Sequence, residues 1–386
     1  MRHLLMIFLF LACVAQAHAD EVRVADLAQL WEVGADEDGE VLFGVISGLA
    51  VDGEGNVYVL DRQLTEVSRF SPEGEYLGPV GREGEGPGEY RRIGDVFVSA
   101  PGEIGVVQRM PGRIVTLAAD GTPGSEIHMP DAFDSAPAYF FGATMAGQDL
   151  VLSARQLRRE SEGVSMTSSL VRIAPDGHEI CRMTERTELR DMSTFIVEEQ
   201  SNAPVIWDTD VAGSVYVSDT FDDWRINVFS AAGDLERTIQ REYAHRQRSD
   251  EEMELNTPRM AIRRRGGGER REATGVPSPI DRDIQAMYCR PDGSLWVLGS
   301  GGTFDQPEGT IATFDVFDAS GEFQHQVELR GEGSFVDDGL YIVGDRVFVA
   351  RGLRAALRAE RGDGDEDADA YAEPMSVACY ELVRNP

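Results

Sequence analysis

The chain has 386 residues, with 36 Lys+Arg against 68 Asp+Glu and a formal charge of −32. All 36 basic residues are arginine, which excludes a lysine Schiff base, a P-loop lysine and a kinase-type phosphate-anchoring lysine, since each needs an ε-amine. The acidity argues against nucleic acid and anionic membranes as partners, and an apolar content of 42% is that of a folded domain.

The chain opens on a short basic start, Met1-Arg2-His3, followed by an apolar run from Leu4 to Val14 and the small-x-small pattern Ala17-His18-Ala19. This predicts a signal peptide over residues 1–19, cleaved after Ala19, and a secreted or periplasmic mature chain beginning at Asp20. The apolar run is too short for a permanent membrane span. Acylation of Cys13 is the alternative, giving a lipid-anchored protein. After cleavage Cys181, Cys289 and Cys379 remain, an odd number that argues against a disulfide-built scaffold.

Residues 20–386 are predicted to form one repetitive domain. Gly55 and Gly74 are 19 residues apart, as are Gly102 and Gly121, and Gly213 and Gly233 are 20 apart. Between each pair lie a short alternating apolar run, a polar loop and a second such run; runs of the same kind flank the pair. Two units with longer middles follow the same plan, Gly147 to Gly177 and Gly293 to Gly321, and a degenerate sixth begins at Gly339. Each unit therefore reads as four antiparallel strands with glycine turns. Such a sheet has two apolar faces and needs a neighbour on each side, which a closed ring supplies. The segment Val22 to Val33 has no local partner and is expected to complete the last unit beside the C-terminal strand, because an unpaired edge would otherwise remain.

The first unit, Gly48-Leu-Ala-Val-Asp52-Gly-Glu-Gly55-Asn-Val-Tyr-Val-Leu-Asp61, and the Gly-rich stretch Gly81 to Gly88 after it resemble NHL-type repeats. Over nearly its whole mature length the chain is similar to the bacterial six-bladed β-propeller proteins. The resemblance implies an all-β fold, a six-bladed propeller of four-stranded antiparallel blades. Propellers serve as binders, scaffolds and enzymes, so it leaves activity open.

The glycines of 81–88 are read as an inter-blade connector, since a phosphate-cradling loop would lead into a helix. The loops after each second strand share one end of the ring with the blade-to-blade connections, and this end is the natural ligand site. Its candidate residues are Arg62, Arg92, Arg109, Arg155, Asp219 and Trp224. Several arginines on one face would attract an anionic small molecule, peptide or protein; the competing reading has them tie blades together through ion pairs. The insertion 241–279 carries a helix start near Ser249 and the run Arg263 to Arg271, read as a flexible exposed loop.

The acidic loop 362–373 contains Asp363-Gly-Asp-Glu-Asp-Ala-Asp369. It lacks the glycine and glutamate positions of an EF-type loop and is expected to be solvated, with weak Ca2+ binding as the one cofactor reading. His128, His178, His245 and His325 are scattered without zinc-ligand spacing, and no Gly-x-Ser-x-Gly elbow occurs. The function expected is a monomeric binding or interaction module without a catalytic constellation. The alternative is a divalent-metal-dependent hydrolase or lyase, lactonase-like or amidating-lyase-like, with its site at the channel mouth.

Overall fold

The computed structural model describes residues 21–34, 39, 41–99, 102–125, 127, 129, 133, 138–161, 163–190, 205–255, 257, 259–262, 271–361 and 375–384. The signal segment with Cys13 and the acidic loop 362–373 lie outside the described residues, as do 263–270 of the arginine run.

The strands group into six blades. Blade 1 is β2 (Ile46–Val51), β3 (Val57–Asp61), β4 (Glu66–Phe70) and β5 (Tyr76–Pro79), hydrogen-bonded in that order. The Gly-rich connector folds on itself as a small parallel pair, β6 (Arg82–Glu83) with β7 (Glu89–Tyr90). Blade 2 is β8 (Ile93–Val98), β9 (Ile104–Gln108) and β10 (Arg113–Leu117). Among the described residues its fourth strand is reduced to one bridge between Leu117 and Pro123. Blade 3 has the long strands β11 (Ala138–Ala146), β12 (Asp149–Arg159), β13 (Val164–Ile173) and β14 (Glu179–Arg190). Blade 4 is β15 (Ile206–Thr209), β16 (Val215–Ser218), β17 (Arg225–Phe229) and β18 (Leu235–Gln240). A short helix α1 (Asp250–Leu255) and a hairpin of β19 (Arg259–Ile262) and β20 (Arg271–Thr274) then precede blade 5, which is β21 (Ile284–Cys289), β22 (Leu295–Gly299), β23 (Thr310–Phe317) and β24 (Phe323–Arg330).

Blade 6 contains β25 (Gly339–Val343), β26 (Arg346–Arg351) and, after helix α2 (Leu353–Arg361), β27 (Ser376–Arg384). Its fourth strand is β1 (Val22–Val33), paired antiparallel to β27 from Ala25↔Arg384 to Val33↔Val377. The first residues of β1 also pair in parallel with β24, from Val22↔Gln326 to Asp26↔Arg330. The terminal strand thus closes blade 6 and welds it to blade 5.

The local chemistry of the turns explains the repeat. In blade 1, Asp52 Oδ1 accepts the N–H groups of Glu54 and Asn56, while Gly55 donates to the Asp52 carbonyl with φ at +87°. Asp210 and Asp318 repeat the same bonds in blades 4 and 5, where glycine again supplies the positive φ. The apolar strand residues pack into wedges between consecutive blades. One holds Tyr58, Leu60, Tyr90 and Val106 between blades 1 and 2, and another holds Trp224, Ile226, Val297 and Phe317 between blades 4 and 5. Between blades 6 and 1, Trp31 of the terminal strand stacks on Phe70 with centroids 6.3 Å apart and donates Nε1–H to the Pro72 carbonyl.

At the glycine-turn end of the ring, arginines reach from one blade into a turn of the next. Arg69 donates to the Ala119 carbonyl, Arg237 to the Ala319 carbonyl, and Arg290 pairs with Asp345. Arg172 is the most enclosed, 3% exposed, with bonds to Asp149, the Ala146 carbonyl and, in blade 4, the Gly213 carbonyl. These arginines fasten neighbouring blades together.

Candidate functional site

The opposite end of the ring carries the second-to-third-strand loops and the crossings between blades. The innermost strands β2, β8, β11, β15, β21 and β25 surround the axis there, each packed on the next through blades 1 to 4 and with β25 closing on β2. Four of them carry one extra residue close to this end. Register shifts leave Ser47, Gly94, Phe141 and Gln285 outside the pairing with the second strand. A bulge re-aims the local side chain, so these positions differ chemically from the paired strand residues.

Arg62, Arg109 and Arg155, from blades 1, 2 and 3, converge on this rim. Asp61 fixes the first loop by accepting the N–H groups of Gly44, Val45, Gln63 and Leu64, which leaves Arg62 projecting from an anchored turn. The Arg109 stem crosses the bulge of β8, where a Cβ on Gly94 would stand 2.5 Å from Arg109 Cγ. Its guanidinium lies 5.8 Å from the centroid of Phe141, and that of Arg155 lies 4.9 Å from the same ring. Arg155 also donates Nε–H to Ser168 Oγ. Burial, then the neighbouring Arg62 charge, pulls the Arg109 pKa below its ordinary value. Among the described residues no carboxylate accepts a hydrogen bond from Arg109. Glu360 of α2 instead forms an ion pair with Arg62 and acts on Arg109 through space.

The other three sequence candidates stand apart from this group. Arg92 is exposed, with φ at +47°, and its carbonyl accepts the Arg109 backbone N–H. Asp219 lies in blade 4, 3.9 Å from Arg225. Trp224 is buried against Phe317 at 5.4 Å in the blade 4–5 wedge, with Arg241 over its ring. Phe141 was missed because a strand aromatic, here directly after Tyr139 and Phe140, reads as core. Gly94 inside a strand was the available signal for a bulge.

A second polar group lies where the 241–283 connector enters blade 5. His245 Nδ1 is 2.8 Å from Asp283 Oδ1; the histidine side chain is 42% exposed and the aspartate 1%. The Asp283 backbone is tied to Phe221 and Ser300, and its Oδ2 is buried without a hydrogen-bond partner. The bond to Asp283 raises the His245 pKa, while burial raises that of Asp283. Nearby, Tyr243 Oη is 3.0 Å from Ser300 Oγ and accepts the Gly301 N–H. Arg282 donates to the Ser218 carbonyl, and burial brings its pKa down to about 10.

Two carboxyl groups lie on the inner strands. Asp95 fits between Gly48 and Gly142, where added Cβ atoms would stand 3.2 and 3.0 Å from its oxygens. Burial lifts Asp95 to about 7 and Asp208 to about 6. Among the described residues no group of three or more His, Cys, Asp or Glu is arranged to hold a metal ion, and no helix is long and apolar enough to cross a membrane.

A family described as 6-bladed beta-propeller matches residues 37–150. No curated protein sequence matches the chain. Among solved structures, a virginiamycin B lyase from Staphylococcus aureus is similar at 11% identity and a TM-score of 0.44, over 92% of this chain and 99% of that one. A gluconolactonase from Xanthomonas campestris is similar at 11% identity and a TM-score of 0.45, over 92% of each chain. Likenesses this distant carry no weight for activity. The six blades and the matched description agree: the fold is a six-bladed β-propeller.

Proposed function

We propose that this propeller is an exported binding module that captures an anionic small molecule, peptide or protein at the rim formed by Arg62, Arg109, Arg155 and Phe141. The observation that carries the reading is Arg109. It is partly desolvated beside a like charge and, among the described residues, has no carboxylate hydrogen-bonded to it, in a chain with almost two acids per base. Structural arginines in such a chain find carboxylates or carbonyls, as Arg172 does. A guanidinium left with open N–H donors over an aromatic face suits a planar anion, which it can bind in a bidentate manner.

Titration calorimetry with citrate, sulfate and benzoate tests this. At least one anion should bind the wild type, and Arg109→Gln should weaken it about tenfold or more. Equal binding by both proteins, or none by either, rejects the site. Export belongs to the same proposal: intact mass of the mature protein should place its N-terminus at Asp20, and a lipid-modified Cys13 would replace this with an anchored form. Asp363 to Asp369 remains the segment for weak Ca2+ binding.

A second reading, acid–base chemistry of a hydrolase or lyase at the same mouth, is favoured by His245 and Asp283. A buried carboxylate on Nδ1 leaves Nε2 of a part-exposed imidazole as a base. Loss of a measured turnover in His245→Gln, with anion binding retained, would establish it.

A further inference from the structure

We infer that the rim takes a carboxylate group and that Glu360 of α2 is its built-in competitor, already seated on Arg62. This rests on the anion-binding reading above and adds its ligand class and its regulation.

The helix that carries Glu360 is placed by its other end. Gly352, with φ at +76°, turns the chain out of β26, and its N–H is held by Asp338 Oδ1 at 2.8 Å. Leu353 and Ala356 pack on the wedge between blades 6 and 1 that contains Phe43, Phe348 and Met375. Leu353, Ala356 and Glu360 are spaced three and four residues apart and so share one helix face. The apolar part of that face fixes the helix on blade 6. Its last turn then carries Glu360 across to blade 1, where the carboxylate meets the Arg62 guanidinium. Among the described residues Arg109 has no such contact, but it lies within the electrostatic reach of both Glu360 and Arg62. The rim is thus half-occupied: one of its guanidinium groups is matched by a carboxylate from the chain itself, and the next is left open.

An incoming carboxylate on Arg109 would compete with Glu360 for Arg62. The Arg62–Glu360 pair is part-exposed, 26% and 36% at the two side chains, and exposed ion pairs are worth at most about a fivefold change in an equilibrium. A contact of that strength lowers apparent affinity without closing the site, because the measured constant is the intrinsic one divided by the open fraction.

The test uses the full mature chain with citrate as the carboxylate probe and sulfate as the other anion. Calorimetry should give citrate binding about three to five times tighter in Glu360→Gln than in wild type. Hydrogen exchange in residues 353–361 of the wild type should speed up when citrate saturates the protein. If wild type binds citrate and Glu360→Gln binds it no better, with exchange in α2 unchanged, the competitor is rejected and the anion-binding rim stands. Sulfate binding tighter than citrate in either protein overturns the carboxylate assignment. Absence of binding by both anions in both proteins overturns the rim and the competitor together.

Discussion

Asp95 Oδ2 accepts the backbone N–H of Ala143 at 3.1 Å, so a carboxyl on the inner strand of blade 2 is bonded to the inner strand of blade 3. Asp208 does the same between blades 4 and 5, accepting the Cys289 N–H at 2.7 Å. Among the described residues no guanidinium acts on either, and burial is the leading influence on both.

These carboxyls make stability depend on pH in an unusual direction. A folded pKa of about 7 for Asp95, against about 4 in the unfolded chain, means the native state holds the proton longer. Stability contributed by the neutral form is present below pH 4 and is lost as pH rises towards 7, with Asp208 losing its share by about 6. Asp95 is only partly buried from solvent, so the change is roughly 1–2 kcal/mol. Urea denaturation at pH 5 and pH 8 should show a smaller difference in Asp95→Asn than in wild type.

His245 acts in the same direction, in a higher pH window. Its pKa is raised, first by the hydrogen bond to Asp283 and then by that charge. The associated stability is fully present below the unfolded value near 6.5 and is lost as pH rises through the folded one. In an NMR titration the His245 ring should deprotonate above pH 6.5, and Asp283→Asn should bring it down.

Arginines at the two ends of the ring should respond oppositely to the same substitution. Arg172→Gln leaves Asp149 and two carbonyls without their donor in a closed site and should cost about 3–5 kcal/mol. Arg109→Gln removes a partly desolvated charge from beside Arg62. Its effect should lie between neutral and about 1 kcal/mol of stabilisation, alongside lost anion binding. Chemical denaturation of the two variants separates fastener from hook; a loss above about 2 kcal/mol in Arg109→Gln would place it among the fasteners.

Trp31→Ala should cost about 3–5 kcal/mol, because it removes the ring packed on Phe70 and Phe348 and the bond to the Pro72 carbonyl. Thermal unfolding should report the loss, and protease cleavage near Glu21 should accelerate as β1 loosens.

The glycine spacing and the alternating strands were readable because turn chemistry and side-chain alternation are local. The partnership of β1 with β27 followed from one unpaired segment and one unpaired edge. Its parallel pairing to β24 did not, since Val22 and Gln326 are brought together only by closure of the ring. The same limit applies to the rim. Arg62, Arg109 and Arg155 were read as loop residues of one end, but Arg155 lies within β12, because that strand runs on to Arg159, and Phe141 between the last two depends on a bulge set by pairing. Glu360 reaches Arg62 only through a helix that docks on another blade. Trp224 was read as a mouth residue, yet its ring turns into the wedge, where apolar contact with Phe317 outweighs an open position.

The double pairing of β1 also sets an order of events. β1 can meet β24 only once residue 330 has been made, and its antiparallel partner, Ser376–Arg384, is made later still. Until then two blade edges stay open, and they are the surfaces on which one nascent copy could capture another's terminal strand. Ring closure is therefore the final, non-local step of assembly. A short linker from Arg384 back to Val22, with new ends cut in a surface loop, would turn that step into a local hairpin and should speed folding.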